Sequence, residues 1–268
     1  MVFGLFSKDR ALQRTIDKAT NKLAQQPDRW GALEKLREDG SEEALYGLCK
    51  RFGVTAMKGV EDEQEKTWVV DVLAEKGNEY PPAQTGQTEA QREEARKANR
   101  DRVLAALKRF MKSSEEHSLS FPLKVLERIG DHDTVLATVD ELLKSEPPGY
   151  ARFPDRRIDL LKWFSEWKGA TDDEVIERLT PYLPDFDENV RFTAIDGLGS
   201  RDVAKIVGPL IDALVRPEEE SGRIRRTIVE VLEKSKAPLG TRGQEVAAML
   251  TGPLAEDFKV EAGIVKKK

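Results

Sequence analysis

Pro184–Pro217 reads PDFDENVRFTAIDGLGSRDVAKIVGPLIDALVRP, and Glu218–Ser235 follows with EEESGRIRRTIVEVLEKS. Within the first stretch, Val190, Ala194, Ile195 and Leu198 fall at i, i+4, i+5 and i+8, one apolar stripe of an amphipathic helix. Asp187 stands where an N-cap is expected and Gly199 where a helix stops. A shift of 34 residues forward puts Ile224, Ile228, Val229 and Leu232 on the same positions, with Arg225 on Arg191. The same step backward reaches Arg157, Leu160, Leu161 and Phe164. A further step reaches Pro122, Val125, Leu126 and Ile129, followed by Gly130.

The pattern recurs in the N-terminal third. Arg29, Ala32, Leu33 and Leu36 carry it in DRWGALEKLREDG, and Lys66, Val69, Val70 and Leu73 carry it in EKTWVVDVLAEKG. The spacing predicts six helices of this kind, near 28–39, 61–77, 118–130, 155–167, 187–199 and 222–236. Six partners of a second kind alternate with them, among them SEEALYGLCKRF, DTVLATVDELLKS, TDDEVIERLTPYL and RDVAKIVGPLIDALV. A helix pair cannot bury its stripe alone, so a period of 34 with two helices per unit predicts stacking. The expected fold is all-α, an α-solenoid of about six stacked antiparallel helix pairs in one curved array.

The run DFDENVRFTAIDGLG, an acidic turn followed by Val-Arg, Ala and Leu, resembles the second helix of a HEAT repeat. It is most similar to the short bacterial HEAT units found in phycobilisome-lyase-like proteins. The likeness covers Tyr150–Lys236 best, Pro27–Gly77 next, and Tyr80–Ser120 least. The tetratricopeptide repeat has the same period, but its Trp, Gly-Tyr and Ala-Phe placements are absent.

One interval breaks the period. GNEYPPAQTGQ has the composition of a flexible loop, and TEAQREEARKANRDRVLAALKRFMK reads as one long charged helix. The front half of that helix has almost no apolar stripe and is expected to project or fray. The expected organisation is therefore repeats over 1–77, a loop over 78–87, a long helix with further repeats over 88–250, and a tail over 251–268. The terminal GIVKKK is expected to be mobile, because its three lysines repel one another.

Composition narrows the function. Charged residues make up 35% of the 268-residue chain and apolar ones 39%, which suits an array in which every helix keeps a wet face. A net charge of −5 weighs against a dedicated nucleic-acid binder. The one cysteine, Cys49, excludes a disulfide within the chain and a thiolate metal centre; it reads as a small buried hydrophobe. No apolar run approaches a membrane span, MVFGLFSKDR is not a signal peptide, and a cytoplasmic setting is expected. Val2, Phe3, Leu5 and Phe6 could touch a membrane surface, although capping the end of the array fits them better.

Catalytic chemistry finds little support. The histidines are His117 and His132, both in polar, turn-like sequence. Asp131-His132-Asp133 reads as a helix start, capped by Asp133 or Thr134, rather than as a metal cluster. The paired His-Glu motifs of HEAT-repeat iron hydroxylases are absent, and so are HExxH, a Walker loop and GxSxG. Acids such as Asp185, Asp187, Glu218, Glu219 and Glu220 precede helices, where carboxylates favour the helix dipole. A non-enzyme without cofactor or metal is expected.

Two features suggest binding. Arg29, Lys66, Arg157, Arg191 and Arg225 occupy one template position and should stack in a row. The HEAT resemblance implies that this Arg pairs with the acid of its turn. Asp185 and Glu219 stand six residues before Arg191 and Arg225, whereas Ala151 and Leu23 precede Arg157 and Arg29. Arg157 and Arg29 are therefore expected to be free for an acidic partner. In RRIDLLKWFSEWKG, Trp163 and Trp167 widen the core stripe and, next to Arg, have hot-spot composition.

The leading expectation is a protein-binding scaffold, engaging a protein or peptide through its concave face near Arg157, Trp163, Trp167, Arg191 and Arg225. The alternative is nucleic-acid binding, similar to HEAT-like alkylpurine DNA glycosylases, for which Trp163, Trp167, Asp159 and Arg157 supply the residue types. A chromophore lyase or isomerase would rest on repeat similarity alone. The sequence leaves the oligomeric state open.

Overall fold

A computed structural model describes residues 3–80, 82, 87–114 and 116–268, with side chains from Asp9 onward. Val2 and the Phe3, Leu5 and Phe6 side chains, and with them the suggested membrane contact, lie outside the described residues. The chain divides into two compact units, Met1–Thr138 and Val139–Lys268, with the boundary inside a helix.

The first unit holds α1 (Phe3–Ala19), α2 (Gln26–Asp39), α3 (Glu42–Lys50), α4 (Gly59–Asn78), α5 (Glu89–Met111), α6 (Ser120–Ile129) and the start of α7 (His132–Ser145). The second continues α7 and adds α8 (Asp155–Glu166), α9 (Asp172–Leu179), α10 (Glu188–Leu198), α11 (Val203–Val215), α12 (Gly222–Lys234), α13 (Gly243–Met249) and α14 (Pro253–Asp257). The six helices carrying the template are α2, α4, α6, α8, α10 and α12, all within a few residues of the expected bounds.

Local chemistry explains the starts. Ser41, Thr88, Thr171, Asp187, Asp202 and Ser221 each accept a backbone N–H of the helix that follows. Such a cap contributes about 1 kcal/mol where it satisfies an otherwise orphaned donor. The stripes go where their period sends them. Val190, Ala194, Ile195 and Leu198 are buried, as are Ile224, Ile228, Val229, Leu232, Leu160, Leu161 and Phe164. Within the first unit, α2 packs on α4 and α4 on α6, while α1 packs on α3 and α3 on α5. Within the second, α8 packs on α10 and α10 on α12. The template helices are thus neighbours within each unit.

Two expectations are corrected. The front half of α5 neither projects nor frays. Thr88 and Gln91 form a capping box, Arg92 and Arg96 lie over the Tyr80 ring at 5.5 and 4.9 Å, and the Tyr80 hydroxyl donates to Glu93 at 2.8 Å. Aromatic and ionic contacts stand in for the missing stripe. Of the segment expected as a loop over 78–87, Asn78 ends α4 and donates to the Ala74 and Arg128 carbonyls, both at 3.1 Å. Residues 81 and 83–86 lie outside the described residues.

The second correction is the tail. Phe258–Glu261 (β1) and Ile264–Lys267 (β2) form an antiparallel hairpin, with Phe258 and Val265 buried against the last helices. Lysine repulsion loses because Lys266 lies 3.7 Å from the Glu261 carboxylate and the Lys268 ammonium reaches the Ala255 carbonyl. Ala262 and Gly263 turn the chain with φ of 55° and 75°. The left-handed region penalises an alanine Cβ, so Ala262→Gly should raise stability by about 1 kcal/mol. Thermal unfolding checks it, and a fall in melting temperature would contradict the turn.

Candidate functional site

The template cations do not form a surface strip. Arg157 and Arg29 are each 2% exposed. Arg157 donates to the Asp185 carboxylate at 2.6 Å and to the Gly149 carbonyl at 2.9 Å. Arg191 reaches Glu219 at 2.8 Å and donates to the Asp185 and Phe186 carbonyls at 2.8 and 3.0 Å. Arg225 donates to the Glu219 carbonyl. Each template Arg of the second unit therefore takes a carbonyl of its own preceding turn. Arg157 and Arg191 also take the buried carboxylate of the turn 28 residues ahead.

This corrects the expected pairing. Asp185, six residues before Arg191, gives that Arg its carbonyl, while its carboxylate serves Arg157 from the preceding helix. Arg157, expected to be free, is buried and holds Asp185 and the Gly149 carbonyl. Position 253, 28 residues after Arg225, is Pro253, so Arg225 ends the ladder half-buried with no acid ahead.

The first unit repeats the logic with a denser core. Arg29 meets Glu65 at 2.8–3.1 Å and Glu61 at 3.4 Å, and it also donates to the Ala24 carbonyl. Glu65 also binds Arg51 at 2.7 Å, while Asp62 receives Arg51 and Lys66, both at 2.7 Å. Burial pushes the Asp62 carboxyl up, but Lys66, the Ala56 amide and Arg51 together outweigh it and hold the group below the usual aspartate range. Glu65 holds the Arg29 guanidinium above its ordinary value, against desolvation.

Trp163 and Trp167 are half-buried and stacked, with centroids 6.0 Å apart and planes at 12°. The Trp167 indole lies against Gly169, where an added Cβ would meet Cζ2 at 2.3 Å. Trp167 also packs on buried Phe164 at 6.1 Å. The pair thus closes the C-terminal end of α8. With Arg157 buried, the five expected site residues do not form one surface.

The exposed apolar residues lie elsewhere. Leu23, Met57, Val60, Tyr150 and Phe186 are 70–82% exposed, all in the turns or first residues leading into α2, α4, α8 and α10. Scattered exposed apolar residues are ordinary, but recurrence at one topological place in each unit is not. In the first unit, Trp30 of α2 and Trp68 of α4 meet at 5.3 Å and 45°. With Val60, Glu63, Gln64, Thr67 and Asp71 they line a groove of about 640 Å³. In the second, Tyr150 and Phe186 meet edge to face at 5.6 Å. They stand beside an open cavity of about 740 Å³ lined also by Arg191, Arg216, Glu218 and Glu220.

The signal that could have revealed these residues was positional. Leu23 and Phe186 stand six and five residues before a template Arg, in turns where a polar residue is the rule. Trp30 directly follows the template Arg29, and Trp68 follows Lys66 by two positions.

Reactive groups are few. Cys49 is buried, and desolvation pushes its thiol far above the ordinary range, so it is no nucleophile. Burial also pushes the Tyr182 phenol up to about 12, and its hydroxyl donates to the Glu146 carbonyl at 2.9 Å. The start of α7 is capped by Asp131, through the Thr134 amide at 2.9 Å, rather than by Asp133 or Thr134. Among the described residues, no group of three His, Cys, Asp or Glu side chains is placed to hold a metal, and no helix is long and apolar enough to cross a membrane. Compared with models of protein families, with curated proteins and with solved structures, the chain matches none of them.

Proposed function

We propose that this chain is a non-catalytic protein-binding module whose helix pairs stack in each unit as HEAT-like repeats. The observation that carries the reading is the row of exposed apolar side chains at the turns entering the template helices, joined in the first unit by the Trp30–Trp68 groove. Rigid helices present these side chains at defined spacing, which lowers the entropy cost of docking a partner. Aromatic residues at the edge of a groove are the usual anchors of protein recognition. Three of the ladder guanidiniums, those of Arg157, Arg191 and Arg29, are taken up by Asp185, Glu219 and Glu65, which supports a protein partner over the nucleic-acid alternative.

A photo-crosslinking side chain in place of Val60, or of Phe186, tests the reading in an extract of the native cell. Protein adducts should form at both positions and not at exposed Glu94 of α5. Trp68→Ala should reduce the Val60 adduct by about tenfold, since loss of an aromatic anchor costs upwards of 1 kcal/mol. Adducts to nucleic acid, or none above the Glu94 control, would remove the proposal.

A further inference from the structure

The groove between α2 and α4 carries a charge asymmetry. Its apolar floor and wall are Val60, Trp68 and Trp30, spread along about 16 Å of helix up to Asp71. Among the described residues no cation lines it, and two that adjoin its lining are in ion pairs: Lys58, next to Gly59, with Glu61 at 2.9 Å, and Arg128 with Asp71. The acids are not all so engaged. Glu63 on the groove wall holds no ion pair among the described residues. Glu34 accepts the Trp30 indole N–H at 3.2 Å and likewise has no cation. The second unit repeats the combination, because the cavity beside Phe186 is edged by exposed Glu218 and Glu220, while the two arginines that line it, Arg191 and Arg216, are both held by Glu219.

We infer that the occupant of the α2–α4 groove is a basic amphipathic segment of a partner protein, with an apolar side chain on Trp30, Trp68 and Val60 and a Lys or Arg on Glu63. This rests on the protein-binding reading and narrows it to one partner chemistry. An apolar wall supplies burial without sign preference, while unpaired carboxylates beside it reject an acidic chain and attract a basic one. Attraction of this kind acts across the rim, so it is weakened by salt.

The test uses the full chain and two labelled synthetic peptides of about 15 residues, with leucines at helical i, i+3, i+4 and i+7 spacing. One carries Lys at its polar positions and the other Glu. Fluorescence anisotropy should show the Lys peptide binding and the Glu peptide failing to bind. Raising NaCl from about 0.05 to 0.3 M should weaken binding several-fold. Glu63→Lys should weaken the Lys peptide by about tenfold and admit the Glu peptide. Trp68→Ala should weaken it by at least as much, and Val60→Ser removes apolar contact without adding charge, at a side chain too exposed to matter for folding. Equal binding of both peptides, no binding of either, or indifference to Glu63→Lys and Val60→Ser would overturn the inference. Sedimentation showing self-association abolished by Val60→Asp would replace the basic segment with a second copy. Protein adducts at Val60 without Lys-peptide binding would remove this inference alone; loss of the adducts as well would remove both.

Discussion

Replacing Glu65 with alanine is expected to destabilise the first unit by about 3–5 kcal/mol, the cost of leaving a buried guanidinium without its counter-charge. Glu65 sits between Arg29 and Arg51, at 2.8 and 2.7 Å, and all three side chains are buried. Arg51 would keep Asp62 and the Val54 carbonyl, each at 2.7 Å, whereas Arg29 would keep only Glu61 and the Ala24 carbonyl. A loss of that size lowers a melting temperature by on the order of 10 °C in a chain of this length. Exposed Glu75, paired with Arg37 at 3.0 Å, is the contrast, since its removal should cost less than about 1 kcal/mol. Denaturant unfolding of the two variants decides the matter. Similar small losses for both would mean that Arg29 and Arg51 find water or other acceptors, and that the cluster does not brace α2 against α4. Exchanging the three buried ionic side chains together for apolar ones of similar volume should cost far less than removing Glu65 alone, because no charge is then stranded.

Asp185→Ala is expected to cost the second unit a similar amount. Asp185 accepts Arg157 at 2.6 Å, the Gly149 amide at 3.1 Å and the Asp187 amide at 2.9 Å, so one carboxylate fixes two turns and a buried cation. Its neighbour Asp187 only caps α10, through the Asn189 and Val190 amides at 2.8 and 3.2 Å. Asp187→Ala should therefore cost only about 1 kcal/mol. Asp185→Asn should fall between the two, retaining a neutral acceptor for the amides but not the charge that Arg157 requires. Thermal unfolding of the three variants orders them, and an Asp187→Ala loss equal to that of Asp185→Ala would show that the ladder does no more than a cap.

Periodicity made the helices and their buried faces readable. The positions of Val190, Ala194, Ile195 and Leu198 follow from 3.6 residues per turn, and the step of 34 carries the same burial to Ile224, Ile228, Val229 and Leu232. Such a pattern depends only on residues close in sequence, which is why the starts and ends of α2, α4, α8, α10 and α12 lie within a few residues of their expected places. The hairpin was not legible on those terms. FKVE and IVKK are too short to show a period, and their burial of Phe258 and Val265 depends on the face that α12 and α13 present.

The destination of the arginines was beyond the sequence for a more specific reason. An acid six residues before one template Arg stands 28 residues after the preceding one, and 6 + 28 is the repeat itself. The sequence alone therefore determined that the acids and arginines recur in phase, but it could not say whether Arg191 pairs within its own turn or Arg157 with the turn ahead. Only the tertiary structure decided it. The closeness of α8 to α10 brings the Asp185 carboxylate to Arg157 and leaves Arg191 the carbonyls of its own turn. The groove was settled in the same way: Trp30 and Trp68 stand in different helices, and only the packing of α2 on α4 places their rings together beside unpaired Glu63. Spacing along a chain specifies which face of a helix is apolar, whereas the partner across a helix interface depends on the distance between two backbones, which no local pattern records.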